Sequence, residues 1–351
     1  ITVQVVPFGK HASEQLAKCI AEAKQLDPLT SVTVLVPSNY ASVSIRRQLA
    51  AGQHGPTYKL GAGIIAVDFL TPFHFAERLA SASLTSSGRK PVSNAIVAAA
   101  VRNALANQPG MFASVTQHSA TESALVNIHR ELRDLDSNQL DKLAASNLRT
   151  SEIVKLHRLV AASLCQEWYD EFDLLTTASH LVDSDEADLD GEIIVFLPQE
   201  LGTLAAGLIK SLGSRSKVSV LIGMTGAHKA DRDARRTCGL LEIELPNIST
   251  TPPVAQHIIS TTDPDDETRF VVRTVLAQLD QGIPPDRIAV VYPHEEPYRR
   301  LLHERFDLTG IRWNGSSSRR LSESVIGKFT LGLLSISDHE FRRDDILDLL
   351  S

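Results

Sequence analysis

The residues best placed for chemistry lie at positions 7–12 (PFGKHA), directly after a β-rich run at the N-terminus. A glycine and a lysine after a strand are parts of a phosphate-binding loop, in which backbone amides surround the phosphates and the lysine supplies positive charge. A working loop also needs further glycines and a Ser or Thr hydroxyl for magnesium. Because His11 and Ala12 follow Gly9 and Lys10, we expect this loop to bind neither ATP nor magnesium.

Two other glycine patterns lack the context that their chemistry requires. Residues 61–66 (GAGIIA) match the dinucleotide fingerprint, but they precede a β-rich run, whereas the fingerprint must follow a strand and open a helix. Residues 223–229 (GMTGAHK) follow a strand but lack the glycine–lysine–Ser/Thr ending of a phosphate loop. We interpret both as turns and expect no cofactor at either.

The sequence also lacks the patterns of metal-dependent catalysis. A nuclease of the PD-(D/E)xK type needs a Pro-Asp followed by an acidic-x-Lys, and neither residues 264–265 nor residues 285–286 are followed by one. The acidic stretch 183–192 superficially suggests a calcium loop, but Ala187 stands where an oxygen ligand is needed. The three cysteines are far apart, and the histidines show no paired-ligand spacing. We therefore predict no catalytic residue and no metal site.

The composition is that of a globular protein of the cytoplasm. A length of 351 residues suits about two domains, and 43% apolar and 22% charged residues are ordinary values. No run approaches the roughly 18 apolar residues of a membrane span, and because we find no basic segment followed by an apolar signal core, we expect no export. Its net charge of −7 disfavours bulk binding of nucleic acid, so any DNA contact must be a local groove. Because it starts at Ile1 and stops inside an amphipathic segment, we expect a portion of a longer protein.

Hydrophobic periodicity predicts α/β architecture with a helical insert. Short apolar runs separated by helical patterns indicate a parallel sheet that is buried on both faces. The strands expected in this sheet are residues 1–7, 31–37, 63–69, 192–197 and 217–223, with helices at 13–25 and 41–51. The insert has helical spacing at residues 95–106, 120–134, 151–171 and 174–182. In a second α/β unit we expect strands at 257–261 and 287–292, and helices at 267–281 and 296–306.

Three parts of the chain resemble superfamily 1 helicases, in the same order. Residues 286–292 (DRIAVVY), with 297–302 and 309–315, resemble the start of the second motor domain of these enzymes, and residues 262–270 resemble the acidic segment before it. In the insert, residues 168–175 (WYDEFDLL) are similar to their Asp-Phe-Asp-Asp-Leu-Leu element. The resemblance is greatest to AddB/RecC-type subunits of helicase–nuclease complexes, which carry a degenerate motor. The segments that resemble this group most are residues 6–16, 32–50 and 286–306.

Each catalytic position of the resembled motor is altered in this sequence. Gly9 and Lys10 are the only remnants of its nucleotide loop. Residues 196–201 (FLPQEL) replace the magnesium-binding Asp-Glu pair and leave Glu200 as the nearby carboxylate. Residues 223–226 replace its Gly-Asp-x-x-Gln element, and Pro293 replaces the arginine that would approach phosphate. Since phosphoryl transfer depends on positioning and charge neutralisation together, four such losses predict a motor that does not hydrolyse ATP.

The resemblance implies a domain organisation and a role. Residues 1–92 and 190–255 would form a degenerate RecA-like domain, residues 93–189 its helical insert, and residues 256–351 part of a second RecA-like α/β domain. The implied role is DNA repair, in the processing of double-strand break ends beside an AddA/RecB-like helicase subunit. The parent protein would then be a nuclease of the PD-(D/E)xK family, with the nuclease domain outside this chain.

Candidate DNA contacts lie in the second unit. Arg319 and Arg320 follow small, flexible residues in a loop, and Lys328 stands one helix further on. Guanidinium groups in such a loop suit phosphate contacts, although a solvated loop has the same composition. Two alternatives remain open from the sequence, namely a docking scaffold for a helicase partner that does not touch DNA and a weak ATPase that uses Lys10.

Overall fold

The computed structural model describes residues 1–55, 63–245, 255, 257–315, 324–336 and 341–350. The chain forms two compact units, Ile1–Pro252 and Pro253–Ser351. The strands are β1 (Thr2–Val6), β2 (Val32–Leu35), β3 (Val67–Leu70), β4 (Lys90–Pro91), β5 (Trp168–Tyr169), β6 (Glu192–Phe196) and β7 (Val218–Gly223). The first unit contains all of them, and its central sheet gives the protein an α/β fold.

The helices of the first unit are α1 (Lys10–Ala23), α2 (Asn39–Ala50), α3 (Pro72–Ser86), α4 (Asn94–Asn107), α5 (Ser119–Leu132), α6 (Ser137–Ala144), α7 (Leu148–Leu164), α8 (Glu171–Asp183), α9 (Thr203–Arg215) and α10 (Arg232–Leu240). The second unit contains α11 (Pro264–Asp280), α12 (Tyr298–Thr309), α13 (Val325–Ser335) and α14 (Arg343–Leu350). Within the described ranges, no helix combines the length and the apolar character needed to cross a membrane.

The central sheet has five parallel strands in the order β1-β7-β6-β2-β3. Strand β2 pairs with β6 from Val32 opposite Glu192 to Leu35 opposite Val195, so the prediction that these two apolar runs share one sheet is confirmed. Every residue of β2 is buried, whereas the edge strands β1 and β3 are only partly covered. A central parallel strand is covered by helices on both faces, which explains why its residues, apart from Thr33, are apolar.

Helices cover both faces of this sheet. On one face, α1 and α2 pack against β2 and β6, with Leu16 and Ile20 of α1 fully buried at helical spacing. On the other face, α3, α8 and α9 bury an apolar cluster that includes Phe75 and Leu208. The chain leaves β2 toward β3 on the first face and leaves β6 toward β7 on the second. The neighbouring carboxyl ends of β2 and β6 therefore form the switch point of a doubly wound sheet.

The helical insert consists of α4 to α7 and has apolar clusters of its own. At its base, β4 and β5 form a short parallel pair, and the Arg89 guanidinium donates hydrogen bonds to the Trp168 carbonyl at 2.6 and 3.0 Å. The prediction of one helix over residues 151–171 was wrong, because α7 ends at Leu164 and β5 follows it. Helical spacing alone did not reveal that Trp168 and Tyr169 pair with a strand about 80 residues earlier in the chain.

The second unit differs from its prediction. The helices expected at residues 267–281 and 296–306 are present as α11 and α12, and they bury Val272, Val275, Leu302 and Phe306. The predictions of strands at 257–261 and 287–292 were wrong for the described residues, which contain no strand in this unit. Residues 288–292 are irregular and follow a 3₁₀ turn at Pro285–Arg287. A β-rich sequence becomes a strand only when a ladder partner is available, and neither segment pairs with another strand in the part of the chain that the structure describes.

One glycine fixes the entry into β6 and provides a stability prediction. Gly191 has φ +75°, and a Cβ atom on it would overlap the Ser31 carbonyl group, which accepts the Glu192 N–H. Gly191→Ala should therefore lower the free energy of unfolding by about 2–4 kcal/mol, combining left-handed backbone strain with a backbone clash. Urea unfolding followed by circular dichroism measures this change. The matched control is Gly207→Ala within α9, which meets no atom within 4 Å and should stabilise by about 0.5–1 kcal/mol. Equal values for the two variants would contradict the clash.

Candidate functional site at the carboxyl edge of the sheet

The sheet brings three sequence-predicted segments together. Because β7 lies between β1 and β6, the segments that follow these strands are neighbours at one edge. They are residues 7–10 after β1, residues 197–200 after β6 and residues 224–226 after β7. Ligands of open α/β sheets bind outside the carboxyl ends of the strands, so this edge is the candidate functional site.

The glycine loop after β1 has an aromatic ring and a surface ion pair beside it. Gly9 has φ +84° and starts α1, and the Lys10 ammonium lies 3.5 Å from the Glu14 carboxylate, which His11 also approaches at 3.4 Å. The Phe8 ring covers the end of β7, where a Cβ on Gly223 would lie 2.5 Å from it. An aromatic ring thus covers this part of the edge, and Lys10 already has an acidic neighbour.

The segment after β6 serves structure rather than metal binding. The Gln199 side-chain amide donates to the Gly223 carbonyl at 2.9 Å and accepts from the Gly223 N–H at 3.1 Å, which ties the ends of β6 and β7 together. Glu200 is exposed, and Pro198 beside it is buried. The described residues include no group of three or more His, Cys, Asp or Glu side chains arranged to hold a metal ion. A lone exposed carboxylate is a weak magnesium site.

The loop after β7 has its amide groups satisfied internally. Asp231 is 1% exposed, and its carboxylate accepts hydrogen bonds from the Thr225 N–H at 2.9 Å, the Thr225 hydroxyl at 2.9 Å and the Gly226 N–H at 2.7 Å. Burial acts to raise the pKa of Asp231, but the hydrogen bonds from Thr225 and Gly226 outweigh it and hold the pKa below its ordinary value. A buried carboxylate thus occupies the donors that a loop of this kind could offer to a phosphate.

The start of α9 is likewise occupied by an acidic side chain. Asp134, at the end of α5, accepts the Thr203 N–H at 2.7 Å and the Leu204 N–H at 3.1 Å. A Cβ on Gly202 would lie 2.8 Å from this carboxylate, so the glycine permits the close approach. Helix N-termini attract anions, and here the helical insert supplies the anion. Sequence reasoning missed this contact, because 69 residues separate donor and acceptor.

The part of the edge that follows β2 and β3 is open to solvent. Ser38 accepts the Ala41 N–H and caps α2, which places Tyr40 in the first turn with 89% of its surface exposed. After β3, the Thr71 hydroxyl caps α3 and lies 2.7 Å from the His74 ring. Sequence reasoning did not single out Tyr40. Its position directly after an apolar strand and a Pro-Ser cap was the available signal.

The DNA contacts predicted in the second unit are only partly described. Lys328 is exposed on α13, while Arg319 and Arg320 lie outside the described residues. Trp313 packs against the core of its unit and stacks on the His303 ring at 3.9 Å between centroids. Its indole N–H donates to Asp307 at 3.1 Å. Trp313 is therefore already held by contacts of its own unit.

Comparison with models of known protein families gives no match, and no curated protein is significantly similar to this chain.

Proposed function

We propose that this chain is a RecA-like, helicase-like module that binds DNA without hydrolysing ATP, within a complex that processes double-strand break ends. The observation that carries the proposal is the carboxyl edge of the sheet. There Phe8 and Gln199 stand in the segments that a motor would use for phosphate and magnesium, and Asp231 accepts the N–H groups of the segment after β7, so all three are in contact with other protein groups. A nuclease parent and an AddA/RecB-like partner subunit are part of the same proposal.

The chemical requirements of ATP hydrolysis support a helicase-like module that does not hydrolyse ATP. Phosphoryl transfer needs free backbone amides around the phosphates, a magnesium ligand and a cation on the transferred group. The donors after β7 bind Asp231, and the cation nearest the glycine loop, Lys10, is beside Glu14. Calorimetry with millimolar ATP and magnesium should detect no binding. ATP turnover above background that is lost in Lys10→Ala would instead favour the weak ATPase.

DNA binding fits the part of the edge that remains open. Tyr40 presents an exposed ring beside the polar caps Ser38 and Thr71, at the switch point where ligands of such sheets bind. Single strands are held by aromatic stacking together with a small number of phosphate contacts. Because the protein is acidic overall, such binding should be weak and strongly salt-dependent, with few phosphates neutralised.

Tyr40→Ala should weaken the binding of a fluorescent oligothymidylate about 5-fold to 150-fold, since stacking contributes about 1–3 kcal/mol per base. Fluorescence anisotropy at low salt measures this dissociation constant. Lys10→Ala is the matched control from the same edge and should leave the dissociation constant unchanged, because Lys10 pairs with Glu14. An unchanged dissociation constant for oligothymidylate in Tyr40→Ala would show that the open part of the edge is not the DNA-binding site.

A docking scaffold is the second candidate, and α13 favours it. This helix exposes much of its apolar surface, including Val325 at 85%, Ile326 at 77% and Leu334 at 68%. A large exposed apolar patch suits a protein partner. If the wild-type chain binds neither single-stranded nor end-containing DNA in a gel shift, the scaffold is the better description.

A further inference from the structure

A cavity in the first unit lies where the helical insert meets α3 and α8. It has a volume of about 650 Å³. Its lining comes from the start of α3, the start of α4, the ends of α5 and α7, strand β5 and the first turn of α8. Six elements therefore converge on one space, and the proposed DNA edge does not account for it.

The walls of this cavity are aromatic. Phe73, Trp168 and Phe172 are each half-buried, so each ring is held by the fold while part of it remains accessible. Tyr169 and Val97, which are buried, also contribute to the lining. Rings held in this way suit a flat ligand, because offset and edge-to-face contacts between aromatic groups are favourable.

A buried, neutral histidine forms part of the cavity wall. His129 lines the cavity and is only 5% exposed, and its Nδ1 atom has no hydrogen-bond partner among the described residues. Burial, followed by the proximity of His157 and Arg133, lowers the pKa of His129 to about 4, so the ring is neutral at pH 7. A neutral imidazole can donate at one nitrogen and accept at the other. The Nδ1 atom itself is buried, so His129 contributes an uncharged ring to the wall of the cavity and no polar contact through this atom.

The charges around the cavity select against an anionic group inside it. Arg133 pairs with Asp170 and Asp173, and Asp173 also pairs with Arg89 at 2.9 Å, so these four side chains compensate one another. Arg130 and Glu171 remain exposed at the rim, one basic and one acidic. Arg130 donates a hydrogen bond to the Asn94 side chain, which lies at the rim as well. The interior is thus close to neutral, and the rim offers both donors and acceptors.

We propose that this cavity binds a nucleobase, either as a base extruded from a single strand or as a free nucleoside. A base is planar and uncharged, and its edge carries both donors and acceptors, which matches the aromatic walls, the neutral interior and the mixed rim. The Arg130 guanidinium at the rim is placed for the phosphate of a strand that remains outside. The strand form of the ligand rests on the DNA binding proposed above, whereas the nucleoside form does not.

Cys165 at the rim provides a direct readout. It is exposed, whereas Cys19 and Cys238 are buried, so a thiol-specific reagent should modify Cys165 first. Oligothymidylate and free thymidine should both slow this modification, and an oligonucleotide of abasic sites should not. Equal rates in the presence of all three would overturn the proposal.

A filling substitution tests the cavity by affinity. Ala162 is exposed and lines the cavity, so Ala162→Phe should occupy part of it and weaken oligothymidylate binding by about fivefold or more, the loss of one stacked base. Ala95→Phe, on an exposed position of α4 that does not line the cavity, is the matched control and should bind as wild type. Circular dichroism checks that both variants fold, and Glu171→Gln changes the rim without adding bulk.

The outcomes separate the two proposals. Weaker oligonucleotide binding in Tyr40→Ala, together with unchanged oligonucleotide binding in Ala162→Phe and no protection of Cys165 by thymidine, would overturn the base pocket and leave the DNA edge standing. Protection of Cys165 by thymidine, lost in Ala162→Phe, without binding of any oligonucleotide would support the pocket and remove the DNA-binding function.

Discussion

Arg133→Ala is expected to lower the free energy of unfolding by about 3 kcal/mol, because it leaves the partly buried Asp170 carboxylate without its cation and leaves Asp173 with Arg89 alone. The Arg133 guanidinium lies 2.7 and 2.8 Å from the two Asp170 oxygens and 3.0 Å from Asp173. Burial acts to raise the pKa of Asp170, but the hydrogen bond and charge of Arg133 outweigh it and hold that pKa below its ordinary value. The same aspartates form the capping box of α8, so the loss should reach the start of that helix.

Urea unfolding of the wild type and two variants measures this effect. Arg102→Ala is the control, because Arg102 pairs with Glu122 at 3.2 Å while 60% of its side chain is exposed, and it should cost less than about 1 kcal/mol. Arg133→Lys keeps the charge but loses the two-pronged contact, so it should fall between the other variants. A loss no larger for Arg133→Ala than for Arg102→Ala would show that the network does not support the fold.

The stability of the protein should fall steeply as the pH drops from about 6.5 to about 4. His129 and His157 are each 5% exposed, and their rings lie 4.7 Å apart. Burial is the largest cause that lowers both pKa values to about 4, with repulsion from His157 next for His129 and from Arg133 next for His157. An unfolded chain therefore takes up these protons at a higher pH than the folded one. Protonation favours unfolding by up to about 3 kcal/mol for each histidine once the pH is below both values.

Unfolding in urea at intervals between pH 7 and pH 4.5 tests this dependence. The lower limit of pH 4.5 stays above the ordinary pKa of an aspartate. Because the pKa of Asp170 is lowered further, protonation of Asp170 would reduce stability only under more acidic conditions. His157→Phe keeps an aromatic ring and should remove the contribution of one histidine to the pH dependence of the free energy of unfolding. His11 is exposed, so His11→Ala should show the same pH dependence as the wild type. A wild-type free energy of unfolding that does not change between pH 6.5 and 4.5 would contradict the assignment of both rings as buried and neutral.

The sheet could be predicted because its signals are local. The apolar run at residues 31–37 contains β2, and the helical spacing at residues 13–25 predicted most of α1, which begins at Lys10. In the second unit the same kind of signal failed, since residues 288–292 are as β-rich as β2 but have no neighbouring strand among the described residues. The β propensity of a segment favours an extended backbone, but a sheet forms only where a second strand is available for hydrogen bonding.

The candidate site could be predicted only in part. The strand ends that carry Gly9, Glu200 and Gly223 were identified from the order of strands and loops. The side chains that contact these strand ends could not be identified from the sequence. Gln199 and Gly223 are 24 residues apart, and Asp231 lies in a charged stretch where a surface position is the ordinary expectation. Long-range contacts of single polar side chains leave no periodic signal in a sequence.

The Asp134 carboxylate makes the helical insert and the sheet dependent on each other. Thr203 and Leu204 begin the helix that connects β6 to β7, and their N–H groups donate hydrogen bonds to Asp134 of the insert. If the insert unfolds while the sheet stays folded, the Thr203 and Leu204 N–H groups lose their acceptor, and the Asp134 carboxylate loses its donors. Unfolding of the insert alone is therefore unfavourable for both parts. The arrangement links two apolar cores into one cooperative folding unit, although a separate cluster of side chains fills each of them.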